Sequence, residues 1–87
     1  MSFIVLLDPR VAITLKRMDG TLRKRITIAL EELKESPEAK GELLHPSNYW
    51  KIRIGDYRAI YQIERSEKSV IVIFVGHKVY DNFERLL

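Results

Sequence analysis

The chain has no cysteine, four glycines, three prolines and no long apolar run. Without cysteine there is no disulfide and no thiolate metal site, so a packed apolar core has to hold the fold. The apolar runs Phe3 to Leu7 and Val70 to Val75 fall far short of the ~20 residues that cross a bilayer. The first also lacks the basic flank of a signal peptide. No glycine-rich phosphate loop, nucleophile elbow or suggestive acidic pair occurs. His45 and His77 have no metal-ligand spacing with carboxylates. The expectation is a cytoplasmic protein with no cofactor and no membrane association.

What the chain does contain is apolar residue in clusters. Hydrophobic residues make up 46% of 87 residues, enough for one small domain over 1–87. Net charge is +3, but its distribution is uneven. Arg10, Lys16, Arg17, Arg23, Lys24 and Arg25 stand against Asp19 alone, whereas residues 31 to 42 carry five glutamates against Lys34 and Lys40. The basic segment is either an ordinary solvated helix face or a surface for RNA or an acidic peptide.

Periodicity orders the elements. Phe3 to Leu7 reads as a buried strand. Asp8-Pro9 is a helix start, aspartate as N-cap and proline at the first position. Val11, Leu15 and Met18 give the helix an apolar stripe, ended by Asp19-Gly20. A second helix from Thr21 to Glu35 carries Leu22, Ile26, Ala29, Leu30 and Leu33 on one side. Ser36-Pro37 stops it. Residues 36 to 48 read as a loop. From Tyr49 the period becomes two, giving strands Tyr49–Ile54, Tyr57–Arg65 and Val70–Val75, with Asp81 to Leu87 as a short terminal helix. The order is βααβββ(α): an α+β fold with an N-terminal helical hairpin packed on a four-stranded, mostly antiparallel sheet.

Gly55-Asp56 is a two-residue turn of the type II′ kind, which fixes register. Arg53 then faces Arg58, Lys51 faces Ile60, Ile52 faces Ala59 and Trp50 faces Tyr61. Alternation sends Trp50, Ile52, Ile54, Tyr57, Ala59 and Tyr61 to one face, the core. Lys51, Arg53, Arg58 and Ile60 go to the other. Facing like charges cost about 0.2–1 kcal/mol, so a sheet selected only for folding would seldom keep them. Three converging cations suit a phosphate: arginine forks for its oxygens, lysine as a mobile charge. His77, Lys78 and Tyr80 leave the last strand nearby, where ring and ammonium are expected to reach the same face for proton transfer or base stacking. Such residues fit RNA cleavage by its own 2′-hydroxyl, without a metal.

The segment Trp50-Lys51-Ile52-Arg53-Ile54-Gly55-Asp56-Tyr57-Arg58-Ala59-Ile60-Tyr61 resembles the hairpin signature of the RelE/ParE toxin superfamily. Gly76-His77-Lys78-Val79-Tyr80 is similar to that superfamily's C-terminal Gly-His-Arg…Val-Tyr motif. Members of the RelE branch are ribosome-dependent mRNA endonucleases held in check by an antitoxin. The resemblance therefore implies a type II toxin–antitoxin toxin with an antitoxin partner in a hetero-oligomer, and with the ribosome and mRNA as targets. It places Lys51, Arg53, Arg58, Lys78 and Tyr80 as catalytic residues, and Lys51, Arg53, Arg58 and His77 on the RNA. Within that set Lys51 or Arg53 accepts the proton, Arg58 steadies the phosphate, Lys78 meets the leaving group and Tyr80 orients the nucleotide. Lys78 replaces the usual arginine, and the spacing to Tyr80 is shorter than the common pattern. The alternatives are a gyrase poison of the ParE branch and a non-catalytic binding module, since fold alone does not select among them.

Overall fold

The computed structural model describes residues 2–80. The terminal helix expected over Asp81 to Leu87 lies outside the described residues. The order is β1 (Ile4–Leu7), α1 (Pro9–Lys16), α2 (Gly20–Glu31), a 3₁₀ turn (Glu32–Lys34), α3 (Pro37–Lys40), β2 (Glu42–Leu44), β3 (Tyr49–Ile54), β4 (Tyr57–Glu64) and β5 (Ser69–His77).

Both long helices start where local chemistry allows. The Asp8 carboxylate accepts the Arg10 N–H at 2.9 Å, and Pro9 needs no partner for a missing N–H. Asp19 does the same for Thr21 at 3.1 Å. Each cap stabilises its helix by about 1 kcal/mol. Asp19-Gly20 was expected to end the first helix. It opens the second instead: α1 stops at Lys16, and Gly20 is already helical.

The described residues form a five-stranded sheet in the order β1-β5-β4-β3-β2. β1 runs parallel to β5, and the other neighbours are antiparallel. Four strands were expected. The fifth, β2, comes from the segment read as loop, where Glu42, Leu43 and Leu44 pair with Lys51, Trp50 and Tyr49. Three residues are too few to show a period, and their strand conformation rests on the ladder offered by β3. The expected β3–β4 register is observed pair by pair, from Trp50↔Tyr61 to Ile54↔Tyr57. Gly55 supplies the positive φ of 61° that the turn needs at its first position.

The helices cover one sheet face. Val11, Leu15, Ile26, Leu30 and Leu33 pack on Ile52, Ile54, Ala59, Tyr61, Val70, Val72 and Val75. Trp50 and Tyr57, expected in the core, are half-buried at its margin. The Tyr61 hydroxyl donates to the Pro37 carbonyl at 2.6 Å, tying α3 to the sheet. Burial pushes this phenol up to about 12, because a phenolate loses its hydration there.

Candidate functional site

Lys51, Arg53, Arg58 and Ile60 share the face away from the helices, as cross-strand register requires. Ile60 is fully buried yet stands outside the helix-covered cluster. The face is not an open cationic plate. Lys51 is 8% exposed and Arg58 5%, whereas the Arg53 side chain is 77% exposed. Arg58 donates through Nη1 to the His77 carbonyl at 3.0 Å, and its guanidinium lies 5.7 Å from the centre of the Phe74 ring. That is cation–π range. Phe74 stands opposite Ile60 and Gly76 opposite Arg58, so Arg58 meets an apolar ring on one side and backbone on the other.

Glu42 joins this cluster. It is the cross-strand partner of Lys51 and therefore shares its face. Its Oε1 lies 3.4 Å from Lys51 Nζ and 4.0 Å from Arg53 Nη2. One carboxylate thus serves two cations from the edge of the sheet. The sequence gives little sign of it, since eight residues lie between Glu42 and Lys51 and the strand that carries it has no legible period. The i, i+2 placement of Lys51 and Arg53 is the one available clue: an acid opposite either one reaches both.

Lys78 sits at the hairpin turn. Its backbone N–H donates to the Asp56 carbonyl at 2.9 Å, and its ammonium lies 3.4 Å from Asp56 Oδ1. Both groups are well exposed. The ring of His77 goes elsewhere. His77 pairs with Tyr57 across the strands, which puts its side chain on the helix side, not with Arg58. There it meets Tyr57 edge-on at 5.1 Å and Tyr80 at 4.9 Å, and its Nδ1 accepts the Val79 N–H at 3.0 Å. The His77 carbonyl, on the backbone, accepts from Arg58 Nη1. Tyr80, 83% exposed, follows the histidine ring. The structure therefore brings Lys51, Arg53 and Arg58 together on one face, holds Lys78 at the turn, and sets His77 and Tyr80 apart as an aromatic pair.

A helix-borne arginine completes this end of the molecule. A side-chain carbon built on Gly55 would lie 2.8, 3.0 and 3.1 Å from Nη2, Nη1 and Cζ of Arg25. The Arg25 guanidinium thus lies over the turn, and a larger residue at 55 would have to displace it. Glycine here satisfies two constraints, the positive φ and this close approach.

The fold, a helical hairpin packed on a five-stranded sheet, matches that of solved RelE toxins. A free-state mutant of the E. coli toxin RelE is 27% identical, with a TM-score of 0.78 over 100% of both chains. The toxin in the intact E. coli RelBE toxin–antitoxin complex is 29% identical, with a TM-score of 0.75 over 87% of this chain and 96% of that one. A RelBE toxin–antitoxin complex of Mycobacterium tuberculosis gives a TM-score of 0.83 over 88% and 99%, at 19% identity, and so shares the fold. No curated protein sequence matches the chain. Residues 5–80 match the family model of the ParE toxin of type II toxin–antitoxin systems. The chain belongs to that family, within the RelE/ParE superfamily, and is a type II toxin–antitoxin toxin.

Proposed function

We infer that the chain is an mRNA endonuclease that cuts on the ribosome and is silenced by an antitoxin. The observation that carries this reading is the Glu42–Lys51–Arg53–Arg58 group on one sheet face. Such a group offers what transfer to a 2′-hydroxyl needs: a carboxylate beside the cations that bind a phosphate. We assign the base to Glu42 rather than to Lys51 or Arg53. Lys51 already holds its ammonium against Glu42 at 3.4 Å, which makes it a donor. Glu42 is the member of the group with lone pairs for the hydroxyl proton.

In this mechanism Glu42 takes the 2′-hydroxyl proton as O2′ bonds to phosphorus. Arg53 and Arg58 hold the non-bridging oxygens while their charge grows. The P–O5′ bond breaks, and the Lys78 ammonium gives its proton to the leaving oxygen. The products are a 2′,3′-cyclic phosphate and a 5′-hydroxyl. The solved E. coli relative with its antitoxin supports a similar small protein partner here, in a hetero-oligomer. The cytoplasm, where ribosomes translate, is the proposed site of action. Among the described residues no helix is long and apolar enough to cross a membrane.

The match to a ParE family model favours a second reading, poisoning of DNA gyrase. One experiment separates the two. The chain is induced in cells, incorporation of labelled amino acids and thymidine is followed, and mRNA ends are mapped in a ribosome-containing reaction. The cleavage reading expects translation to stop first, with cyclic-phosphate ends formed in chelator. Replication arrest with intact mRNA, or magnesium-dependent 5′-phosphate ends, would overturn it.

A further inference from the structure

The basic segment between Lys16 and Arg25 has so far been given no role. Lys16, Arg17, Arg23, Lys24 and Arg25 are all exposed. Asp19, the one acid among them, spends its carboxylate on the Thr21 N–H. Arg23 turns back on the end of α1, its Nη1 at 3.4 Å from the Lys16 and Met18 carbonyls. Among the described residues, Lys16, Arg17, Lys24 and Arg25 form no ion pair with an acid. Arg25 connects this cluster to the site, because its guanidinium lies against Gly55, one residue from the Asp56 that holds Lys78.

We propose that Arg25, with its neighbour Lys24, forms a binding surface for the phosphate backbone of the RNA substrate beyond the scissile position. The proposal rests on the cleavage reading and extends it from one phosphate to a strand. Cations of the helical layer and of the sheet meet at the β3–β4 turn. A strand whose scissile phosphate lies at Arg53 and Arg58 can therefore pass over the turn and meet Arg25 next. The Arg25 guanidinium is exposed and lies beside the turn, where a fork-like grip on phosphate oxygens is open to it. An acidic peptide would gain most from apolar anchors between the charges. Met18 and Leu22, between the charges, are half-buried against the core, while Ile28, one turn beyond Arg25, is exposed, so a peptide partner is the competing outcome that the test separates.

The test uses 2′-O-methyl RNA, which cannot be cut, as oligomers of three and nine nucleotides. Binding is measured by fluorescence anisotropy across a salt series. Wild type is expected to bind the longer strand more tightly and with a steeper salt dependence. A Lys24→Ala/Arg25→Ala protein should weaken the nine-mer about tenfold and reduce its salt slope by about 1.4, two contacts at ~0.7 each on single strands. Its affinity for the three-mer should not change. Arg25→Lys should fall between the two. Equal binding of the nine-mer by wild type and double variant would overturn the proposal, as would a loss confined to a polyglutamate peptide. If wild type cuts mRNA on ribosomes while the double variant binds normally, this surface fails and the cleavage reading stands. If wild type binds in a length-dependent, Arg25-dependent way but does not cut, the surface stands and the cleavage reading fails.

Discussion

Arg53 and Arg58 are cross-strand partners on one sheet face, yet the Arg53 side chain is 77% exposed and Arg58 only 5%. Pairing alone would make them equivalent. The difference arises because Arg58 lies on the inner strand, where Phe74 and the His77 carbonyl receive it. Arg53 lies on β3, closer to the sheet edge, with a carboxylate 4.0 Å away.

The two arginines should therefore fail differently. Arg53→Ala should leave stability within ~0.5 kcal/mol, as an exposed substitution does, and lower RNA cleavage on the order of 10²-fold by loss of a charged donor. Arg58→Ala should lower cleavage and also destabilise the fold by about 2 kcal/mol, since it empties a buried site and removes a charged donor from His77. Relief of the facing charge would by itself favour Arg58→Ala by about 0.2–1 kcal/mol; the loss at the buried site outweighs it. Urea denaturation beside a cleavage assay checks both, and equal stability of the two variants would contradict the burial argument.

Glu42→Gln keeps shape and hydrogen-bonding reach but loses the lone-pair basicity of a carboxylate. Cleavage is expected to fall by about 10²–10⁴, with the urea midpoint unchanged. A purely structural Glu42 would lower the urea midpoint together with the rate.

Gly41 touches the sheet more closely than a side chain permits. A carbon there would collide with the Tyr61 hydroxyl and lie 2.9 Å from the Lys51 carbonyl. Gly41→Ala should cost about 2 kcal/mol by overpacking, lowering Tm by roughly 10 °C. In a Tyr61→Phe background the penalty should shrink, because the hydroxyl that blocks the new carbon is gone. Thermal melts of the four proteins in this cycle measure the coupling.

Tyr61 gives an alkaline signature. Its folded-state value, about 12, lies above the ~10 of a free tyrosine. Below ~10 the phenol is neutral in both states and stability is unaffected. Between ~10 and about 12 the unfolded chain releases its proton first, so stability falls as pH rises, by at most about 2–3 kcal/mol. Tyr61→Phe should cost about 1 kcal/mol at neutral pH through the lost bond to Pro37. Its stability should stay flatter between those pH values.

Several features were legible beforehand because each rests on short-range rules. Asp8-Pro9 marked the start of α1, and the two-residue loop at Gly55-Asp56 fixed five strand pairs. The 3.6-residue spacing of Ile26, Leu30 and Leu33 marked the buried side of α2. Less was legible at the site. Strand alternation after β4 runs through an irregularity between Ile60 and Tyr61, where the partner on β5 jumps from Phe74 to Val72. The side on which His77 emerges depends on that jump, and no sequence pattern reports it.

The sequence by itself determined the helical hairpin, strands β1, β3, β4 and β5, the hairpin register and the set of cations on one face, because turn length and side-chain alternation act over a few bonds. Only the tertiary structure decided the rest. It recruited Glu42 to Lys51 and Arg53, buried Arg58 while leaving Arg53 in water, turned His77 to the other side, and laid Arg25 over Gly55. These depend on which strand is inner and which is edge, and on how the helix layer meets the turn. Such contacts join residues distant in the chain, and no local periodicity encodes them.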